Sequence, residues 1–417
     1  MVKNNKFLKD NFYLFSGSIV MSAFAFFFHF YLGRTLSIEN YGVIGVLLAL
    51  IGFITIPMQV LQISLTNFVA SLKVKNKLEE LKYLYHASLK KLNRLFFLLF
   101  LISLVVNIYL SQFLKIDYLY LTLISLTLIF VPFLSVTRGF LQGLQLFKNL
   151  ALGLSLEGIA KFVLGVILVS IGFGVGGAIS AIVLSILIAS IYNYSVLKKQ
   201  IIGKYKKFKT KEIYDFAGPV LLTLILLVSF YSLDLILVKH FFTGIEAGNY
   251  AVINLMGKIV LFVSFSIIDV MFPKAVELRE NGKSHKGLLF NSFLLMSFIL
   301  VPLLGIYFFF GEFLVSLLFG AKYASVGSLI WVYGIFMGGV SISKLFCMYL
   351  LSFKKYIYLY FLLLINILEV LFISFNHETL SQVIYILAGL GLFLFLISGI
   401  TAYLFSKSLR TSEEKNQ

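Results

Sequence analysis

The chain has very little cysteine and no recognisable catalytic or nucleotide-binding motif, and these absences exclude several classes of protein. Cys347 is the only cysteine among 417 residues, so no intrachain disulfide can form and no cysteine-based metal site is expected. The phosphate-binding loop pattern GxxxxGK[ST] does not occur, so we do not expect the chain to hydrolyse ATP itself, and the sequence predicts no cofactor. The predicted outer loops are short and hold no nucleophile–base pair or cluster of metal ligands, which argues against an enzyme.

Charged residues are scarce as well. Only 13% of the residues are charged and 60% are hydrophobic, whereas soluble domains have about a quarter charged residues. A soluble protein of this length would leave too much apolar surface in contact with water. The composition therefore predicts an all-α integral membrane protein.

What the sequence does contain is a series of long apolar runs. Each run has about the length that an α-helix needs to cross roughly 30 Å of hydrocarbon. We predict about 12 transmembrane helices, arranged as an N-terminal six-helix bundle (1–200) and a C-terminal six-helix bundle (201–417). The predicted segments are 12–33, 42–69, 93–113, 118–139, 151–173, 175–197, 214–238, 248–272, 288–310, 326–351, 356–375 and 381–405.

The basic residues are distributed unevenly over the predicted loops. With the N-terminus in the cytoplasm, only Arg34, Lys115, Lys239 and Lys322 lie on the outer side, and only Lys161, Lys258 and Lys344 lie inside helices. All the other lysines and arginines fall on the cytoplasmic side, as the positive-inside rule requires. We therefore expect a multi-pass protein of the plasma (cytoplasmic) membrane with both termini in the cytoplasm. Orientation accounts for the net charge of +17, so no nucleic-acid partner is expected.

Two basic cytoplasmic stretches have further character. Residues 72–93 place leucines at helical spacing among lysines, which predicts an amphipathic cytoplasmic helix at the membrane interface. Residues 198–213 carry the densest positive charge and form the predicted linker between the bundles. This charge either serves orientation alone or also attracts anionic lipid headgroups.

Short segments recur about half a chain length apart. SIENYGVI at 37–44 resembles GIEAGNYAVI at 244–253, and the Phe-Lys pair at 147–148 recurs at 353–354. Because six helices separate the copies, both halves enter the membrane in the same orientation. Transporters with such a parallel repeat bind substrate between their halves and work by alternating access. A major-facilitator transporter is disfavoured because its acidic-Gly-Arg-Arg signature is absent from residues 71–91.

Four motifs resemble those of the Wzx-type polysaccharide and oligosaccharide flippases of the multidrug/oligosaccharidyl-lipid/polysaccharide (MOP) exporter superfamily. They are LGRTLSIENYG at 32–42, RGFLQGLQ at 138–145, Asp234 followed by GNY at 248–250, and LLFGAKY at 317–323. Ser37 departs from the family pattern, which usually has glycine at this turn.

The resemblance implies a MATE-like fold and a transport function. Wzx-type proteins move a polyprenyl-pyrophosphate-linked oligosaccharide across the membrane, so the implied partners are this lipid-linked oligosaccharide, the lipid bilayer and other polysaccharide-assembly proteins. The alternative is a MATE-like multidrug exporter coupled to protons or sodium, because multidrug exporters of the superfamily share the twelve-helix plan.

Ionisable residues inside the membrane are costly and usually face a bundle interior or an aqueous cavity. Glu157 and Lys161 are one turn apart, so they either neutralise each other or place Lys161 in a substrate cavity. Lys258 and Lys344 have no acidic neighbour one turn away, and a pyrophosphate would supply the missing anion, although Lys344 could instead reach the interface. We predict that all four residues belong to a cationic substrate-binding cavity.

Five further positions complete the predicted site and its surroundings. Arg34 either anchors the end of the first helix or contacts substrate, and we include it among the substrate-binding candidates. Asp234 is either a proton or sodium coupling site or the charge partner of a cavity lysine. His29 is interpreted as a hydrogen bonder between helices, while Asp269 and Glu369 are expected to lie near helix ends with structural roles.

Overall fold

The computed structural model describes residues 2–203, 205–207, 217–280 and 287–415, and this part of the chain is helical without any strand. The side chains of 2–11, 217, 263–266, 269, 273, 277, 279–280 and 408–415 lie outside this description. Most of the second half of the predicted linker and the side chain of Asp269 are therefore not covered.

The connections that the structure describes in full are short. Within the first half of the chain the helices are α1 (Val2–Thr35), α2 (Ile38–Val74), α3 (Leu78–Leu114), α4 (Tyr118–Ser125), α5 (Thr127–Gly143), α6 (Phe147–Leu168) and α7 (Gly174–Ile201). In the second half they are α8 (Ala217–Phe230), α9 (Leu233–Phe241), α10 (Gly244–Glu280), α11 (Leu288–Phe319), α12 (Ile330–Ser352), α13 (Tyr358–Phe375) and α14 (Leu380–Lys415). A π turn (Val169–Phe173) precedes α7, and a 3₁₀ segment (Ala321–Leu329) precedes α12.

The helices confirm the predicted membrane architecture. Ten segments of the described residues are long and apolar enough to cross a membrane, judged by length and composition. One of them, Phe147–Ile201, is 55 residues long and contains two predicted spans. The chain bends where the two spans meet, at Gly172, which has a positive φ of 100°. The predicted span 248–272 lies within α10, a further helix of 37 residues. Each predicted segment thus has its helix or broken helix.

The predicted amphipathic helix 72–93 is not a separate element. α2 continues to Val74, the chain turns at residues 75–77, and α3 then runs unbroken from Leu78 into the third membrane span. No glycine or proline occurs between Leu78 and Leu114, so nothing ends the helix at the interface. The predicted apolar face is real, since Leu81, Leu84 and Leu92 are buried against the rest of the unit.

The chain forms two compact units, Met1–Leu221 and Leu222–Gln417. In the first unit α2, α3 and α7 pack on α5, and α6 packs on α7. The second unit repeats this arrangement, since α10, α11 and α14 pack on α12, and α13 packs on α14. The same helix pairs are therefore used in both halves, as the short sequence repeats predict.

The RGFLQG motif is explained by close helix packing. A Cβ atom added at Gly143 would lie 2.6 Å from the Val69 Cβ atom, and one at Gly139 would lie 3.1 Å from the Gln62 carbonyl oxygen. The two glycines, one turn apart, let the backbone of α5 approach α2, as small residues do between membrane helices. Gln142 from the same motif accepts a hydrogen bond from the Gln62 side chain at 3.3 Å.

Candidate functional site

In the N-terminal unit, Arg138 of α5 forms an ion pair and hydrogen bond with Glu157 of α6. Both side chains are only 14% exposed, and the Arg138 Nε atom is buried without a hydrogen-bond partner. The direct partner of Glu157 is therefore Arg138 and not Lys161, which sequence spacing favoured. Arg138 belongs to the RGFLQG motif. The sequence did not predict its pairing with Glu157 because Arg138 lies near the end of its helix, next to a loop.

Lys161 lies half-buried one turn further along α6. Its Nζ atom is 5.6 Å from the centre of the buried Phe28 ring of α1, a cation–π arrangement. Glu157 is close enough to interact with Lys161 electrostatically, although no ion pair joins Lys161 to any described carboxylate within 4.0 Å. The Lys161 ammonium group therefore retains the capacity to bind an additional anion.

In the C-terminal unit, the fully buried Asp234 is the centre of a hydrogen-bond network. Its Oδ2 atom accepts hydrogen bonds from Tyr250 at 2.7 Å, from Tyr333 at 2.5 Å and from Asn254 at 3.2 Å. Asn254 also donates to the Tyr333 hydroxyl at 2.7 Å. The two parts of the motif formed by Asp234 and GNY at 248–250 are thus in direct contact, because Tyr250 donates a hydrogen bond to Asp234.

A break in the membrane helix positions Asp234. α8 ends at Phe230 and α9 begins at Leu233, so Asp234 lies in the first turn of a new helix. A carboxylate at a helix N-terminus is stabilised by the helix dipole. Discontinuous membrane helices commonly form substrate and ion sites in transporters.

Tyr250, Asn254 and Lys258 follow at four-residue intervals on one face of α10. Lys258 is half-buried and interacts electrostatically with Asp234, without an ion pair to a described carboxylate within 4.0 Å. This face could have been recognised from the sequence by its spacing. The contribution of Tyr333 could not, because it comes from α12.

Glu369 of α13 is fully buried, six residues before the end of its helix. This corrects the expectation that it lies near a helix end and has its hydrogen bonds made there. It interacts electrostatically with Asp234 and Tyr250. The Asp234 backbone lies nearby, but neither Glu369 carboxylate oxygen has a hydrogen bond of normal geometry. Two acidic groups therefore meet in one buried polar cluster, and its tyrosine and asparagine side-chain donors bond to Asp234 and not to Glu369.

Close packing at Gly257 determines the position of Tyr333. A Cβ atom added at Gly257 would overlap the Tyr333 ring atoms Cδ1 and Cε1 and lie 2.8 Å from Met337 Cγ. We expect Gly257→Ala to lower the free energy of unfolding by about 1–3 kcal/mol, because it displaces the ring that donates to Asp234. The measurement is the thermal unfolding midpoint of the purified protein in detergent. Gly338→Ala is the control, since nothing lies within 4 Å of its added Cβ, and equal midpoints for both variants would contradict this account.

The other predicted positions lie on α1 and α12. Arg34 is exposed in the last turn of α1, and Lys344 is half-buried within α12. His29 lies 3.3 Å from the Tyr41 hydroxyl and so links α1 to α2, in agreement with its interpretation as a hydrogen bonder between helices. The binding roles predicted for Arg34, Lys161, Lys258, Lys344 and Glu157, and the coupling role of Asp234, stay predictions.

The other two motifs determine turns. Ser37 caps α2 by accepting a hydrogen bond from the Asn40 backbone at 3.2 Å, which explains why serine can replace the usual glycine. In LLFGAKY, Gly320 has a φ of 101° between α11 and the 3₁₀ segment, a conformation that favours glycine. Tyr323 of this motif is fully buried.

Comparisons with known proteins agree with this architecture. The family model described as polysaccharide biosynthesis protein matches residues 31–327. An uncharacterized membrane protein of Methanocaldococcus jannaschii is 21% identical over 313 residues, which cover 70% of this chain and 73% of that protein.

Two solved structures share the fold. A multidrug resistance MATE family transporter of the MOP superfamily, in an inward-facing conformation, has a TM-score of 0.80 and 12% identity, with 94% of this chain and 96% of that chain covered. A MOP superfamily transporter from Pyrococcus furiosus, whose binding pocket of reversed polarity suggests a different function, has a TM-score of 0.66 and 14% identity, with 96% and 95% covered. The chain thus has the fold of membrane transporters of the MOP superfamily, and the resemblance seen in its motifs is confirmed.

Proposed function

Because the chain belongs to the polysaccharide biosynthesis protein family, we propose that this multi-pass membrane transporter flips a polyprenyl-pyrophosphate-linked oligosaccharide across the plasma membrane. The observation that carries this proposal is the family match over most of the chain, which connects the transporter fold to surface polysaccharide synthesis. Transport of this kind supplies lipid-linked oligosaccharide for cell-surface polysaccharide assembly, and proteins of that assembly are the proposed partners.

The two half-buried lysines support an anionic substrate. Lys161 lies in a segment long and apolar enough to cross a membrane, Lys258 lies in the predicted span 248–272 of α10, and neither has a described carboxylate within 4.0 Å. A cation in this environment is costly unless it is compensated. A pyrophosphate group would compensate it with charge-assisted hydrogen bonds, which are about twice as strong as neutral ones. We propose that Glu157 keeps Arg138 in place beside Lys161, and that Arg34 and Lys344 each add positive charge for the substrate within their own unit.

Movement between leaflets is proposed to proceed by alternating access, the mechanism that the parallel repeat favours. In this scheme the pyrophosphate is transferred between cationic side chains while the sugar crosses the hydrocarbon region. The distribution of basic residues supports cytoplasmic termini. Substrate would therefore be taken up from the leaflet in which cytoplasmic enzymes assemble it.

A binding experiment tests the substrate class. We expect a pyrophosphate-linked oligosaccharide on undecaprenol to raise the thermal unfolding midpoint of the purified protein in a concentration-dependent manner, because a ligand that binds only the folded state stabilises it. Undecaprenol without phosphate, at the same concentration, is expected to have little effect. Equal stabilisation by both lipids, or by neither, would remove the support for pyrophosphate recognition.

A second function, ion-coupled multidrug export, is favoured by the acidic cluster. Asp234 accepts three hydrogen bonds while Glu369 accepts none of normal geometry, so a proton or a monovalent cation at Glu369 would relieve the repulsion between them. Such a site would also serve a flippase, by coupling lipid movement to an ion gradient. We therefore propose Asp234 as an ion-coupling residue under either function, and the transported molecule distinguishes the two.

A further inference from the structure

A basic pocket lies on the first unit. It has a volume of about 520 Å³ and is formed by the first turns of α3 together with the chain that follows α7. This size falls within the range of about 300–1,000 Å³ that is usual for small-molecule sites. The charge distribution predicts that this end of α3 faces the cytoplasm.

The outer wall of the pocket is fixed to α3 by backbone contacts. The Lys206 backbone N–H donates to the Glu79 carbonyl oxygen at 3.3 Å, and the His86 Nε2 atom lies 3.3 Å from the Ile201 carbonyl oxygen. The Tyr205 ring packs at 5.9 Å from both the Tyr83 and the His86 rings. The segment 205–207 therefore has a defined position opposite α3.

The charge of the pocket has one sign. Lys90, Lys91 and Arg94 line it from α3, and Lys207 lines it from the opposite wall, while none of the described acidic side chains contributes to the lining. The nearby Glu80 is already paired with Lys77 at 3.0 Å. Like charges one turn apart on a helix repel each other, so a bound anion would stabilise this arrangement.

We propose that this pocket binds a phosphate or pyrophosphate group. Arg94 offers a planar pair of donors that fits phosphate oxygens, and the lysines act as point charges beside it. The hydroxyl group of Tyr205, which also lines the pocket, is an additional donor. The anion comes either from an anionic lipid headgroup or from a soluble phosphate compound. This proposal does not depend on the identity of the transported molecule.

The test uses the full-length protein in detergent, titrated with inorganic pyrophosphate by calorimetry. We expect wild type to bind and Lys90→Gln/Arg94→Gln to bind at least about tenfold more weakly, because charge-assisted contacts are lost. Lys75→Gln/Lys148→Gln is the matched control, since both lysines are exposed in the same unit and neither lines the pocket. Lys207→Gln must also weaken binding, and its fold is expected to be unchanged because Lys207 is exposed and lies outside any helix.

Nanodiscs separate the two sources of the anion. If a lipid headgroup occupies the pocket, phosphatidylglycerol in the disc will suppress pyrophosphate binding relative to phosphatidylcholine alone. If the natural ligand is soluble, binding will be the same in both discs. The proposal is overturned if pyrophosphate does not bind wild type, or if the pocket variants bind it as tightly as the control variant does.

Discussion

A Lys161→Ala/Lys258→Ala variant is expected to lose at least about a hundredfold of the lipid-flipping rate while reaching the membrane in normal amounts. Charge-assisted hydrogen bonds to a phosphate contribute roughly 1.5–3 kcal/mol each, and about 1.4 kcal/mol corresponds to a factor of ten. The folded state should tolerate the change, because neither lysine forms an ion pair within 4.0 Å with a described carboxylate. The rate is measured with protein reconstituted in liposomes.

Two exposed lysines of the first unit serve as the control for this variant. Lys75→Ala/Lys148→Ala removes the same charge from exposed positions and is expected to leave the flipping rate near that of wild type. The single variants show whether one unit contributes more than the other. Wild-type transport by the Lys161→Ala/Lys258→Ala variant would eliminate the proposal that these lysines bind substrate.

Arg138→Gln is expected to destabilise the protein by about 3 kcal/mol or more, because it leaves the largely buried Glu157 carboxylate without its ion-pair partner. Lys77→Gln should change stability by less than about 1 kcal/mol, since the Lys77 side chain is 49% exposed and water weakens its pairing with Glu80. The free energy of unfolding is measured in mixed micelles at increasing denaturing detergent.

A double variant distinguishes lost pairing from lost packing. Arg138→Gln/Glu157→Gln removes the unpaired charge, so it should regain a substantial part of the stability that Arg138→Gln alone loses. If the double variant is as unstable as the sum of both single variants, the two side chains do not act as a pair. Equal losses in Arg138→Gln and Lys77→Gln would contradict the structural importance of this contact.

Most of the fold was predictable because hydrophobic length determines a membrane helix almost by itself. The twelve segments and the repeat required only local apolar runs and short motifs. The predicted amphipathic helix 72–93 was wrong as a separate element because the same leucine periodicity also fits an extended α3, and no residue near position 93 ends the helix. Spacing predicts which side chains are buried, but not where a continuous helix stops.

The site was predicted less completely because its contacts join residues from different helices. Asp234 was identified as an isolated charge in an apolar segment, yet the Tyr333 donor lies 99 residues further along the chain. The ion pair of Glu157 with Arg138 was not indicated by the sequence, since i,i+4 spacing reports only neighbours on the same helix and Arg138 belongs to α5. Glu369 was recognised as buried charge, but its missing hydrogen bonds become visible only when α13 is placed beside α9.

The central claim is tested most directly by reconstituting the purified protein in liposomes with a fluorescent polyprenyl-pyrophosphate oligosaccharide. An impermeant quencher or a lectin then reports when the lipid reaches the far leaflet. The account predicts facilitated movement relative to protein-free liposomes, and its loss in Lys161→Ala/Lys258→Ala. No facilitated movement, together with efflux of amphipathic cationic dyes driven by a proton or sodium gradient, would contradict the flippase and favour the multidrug exporter.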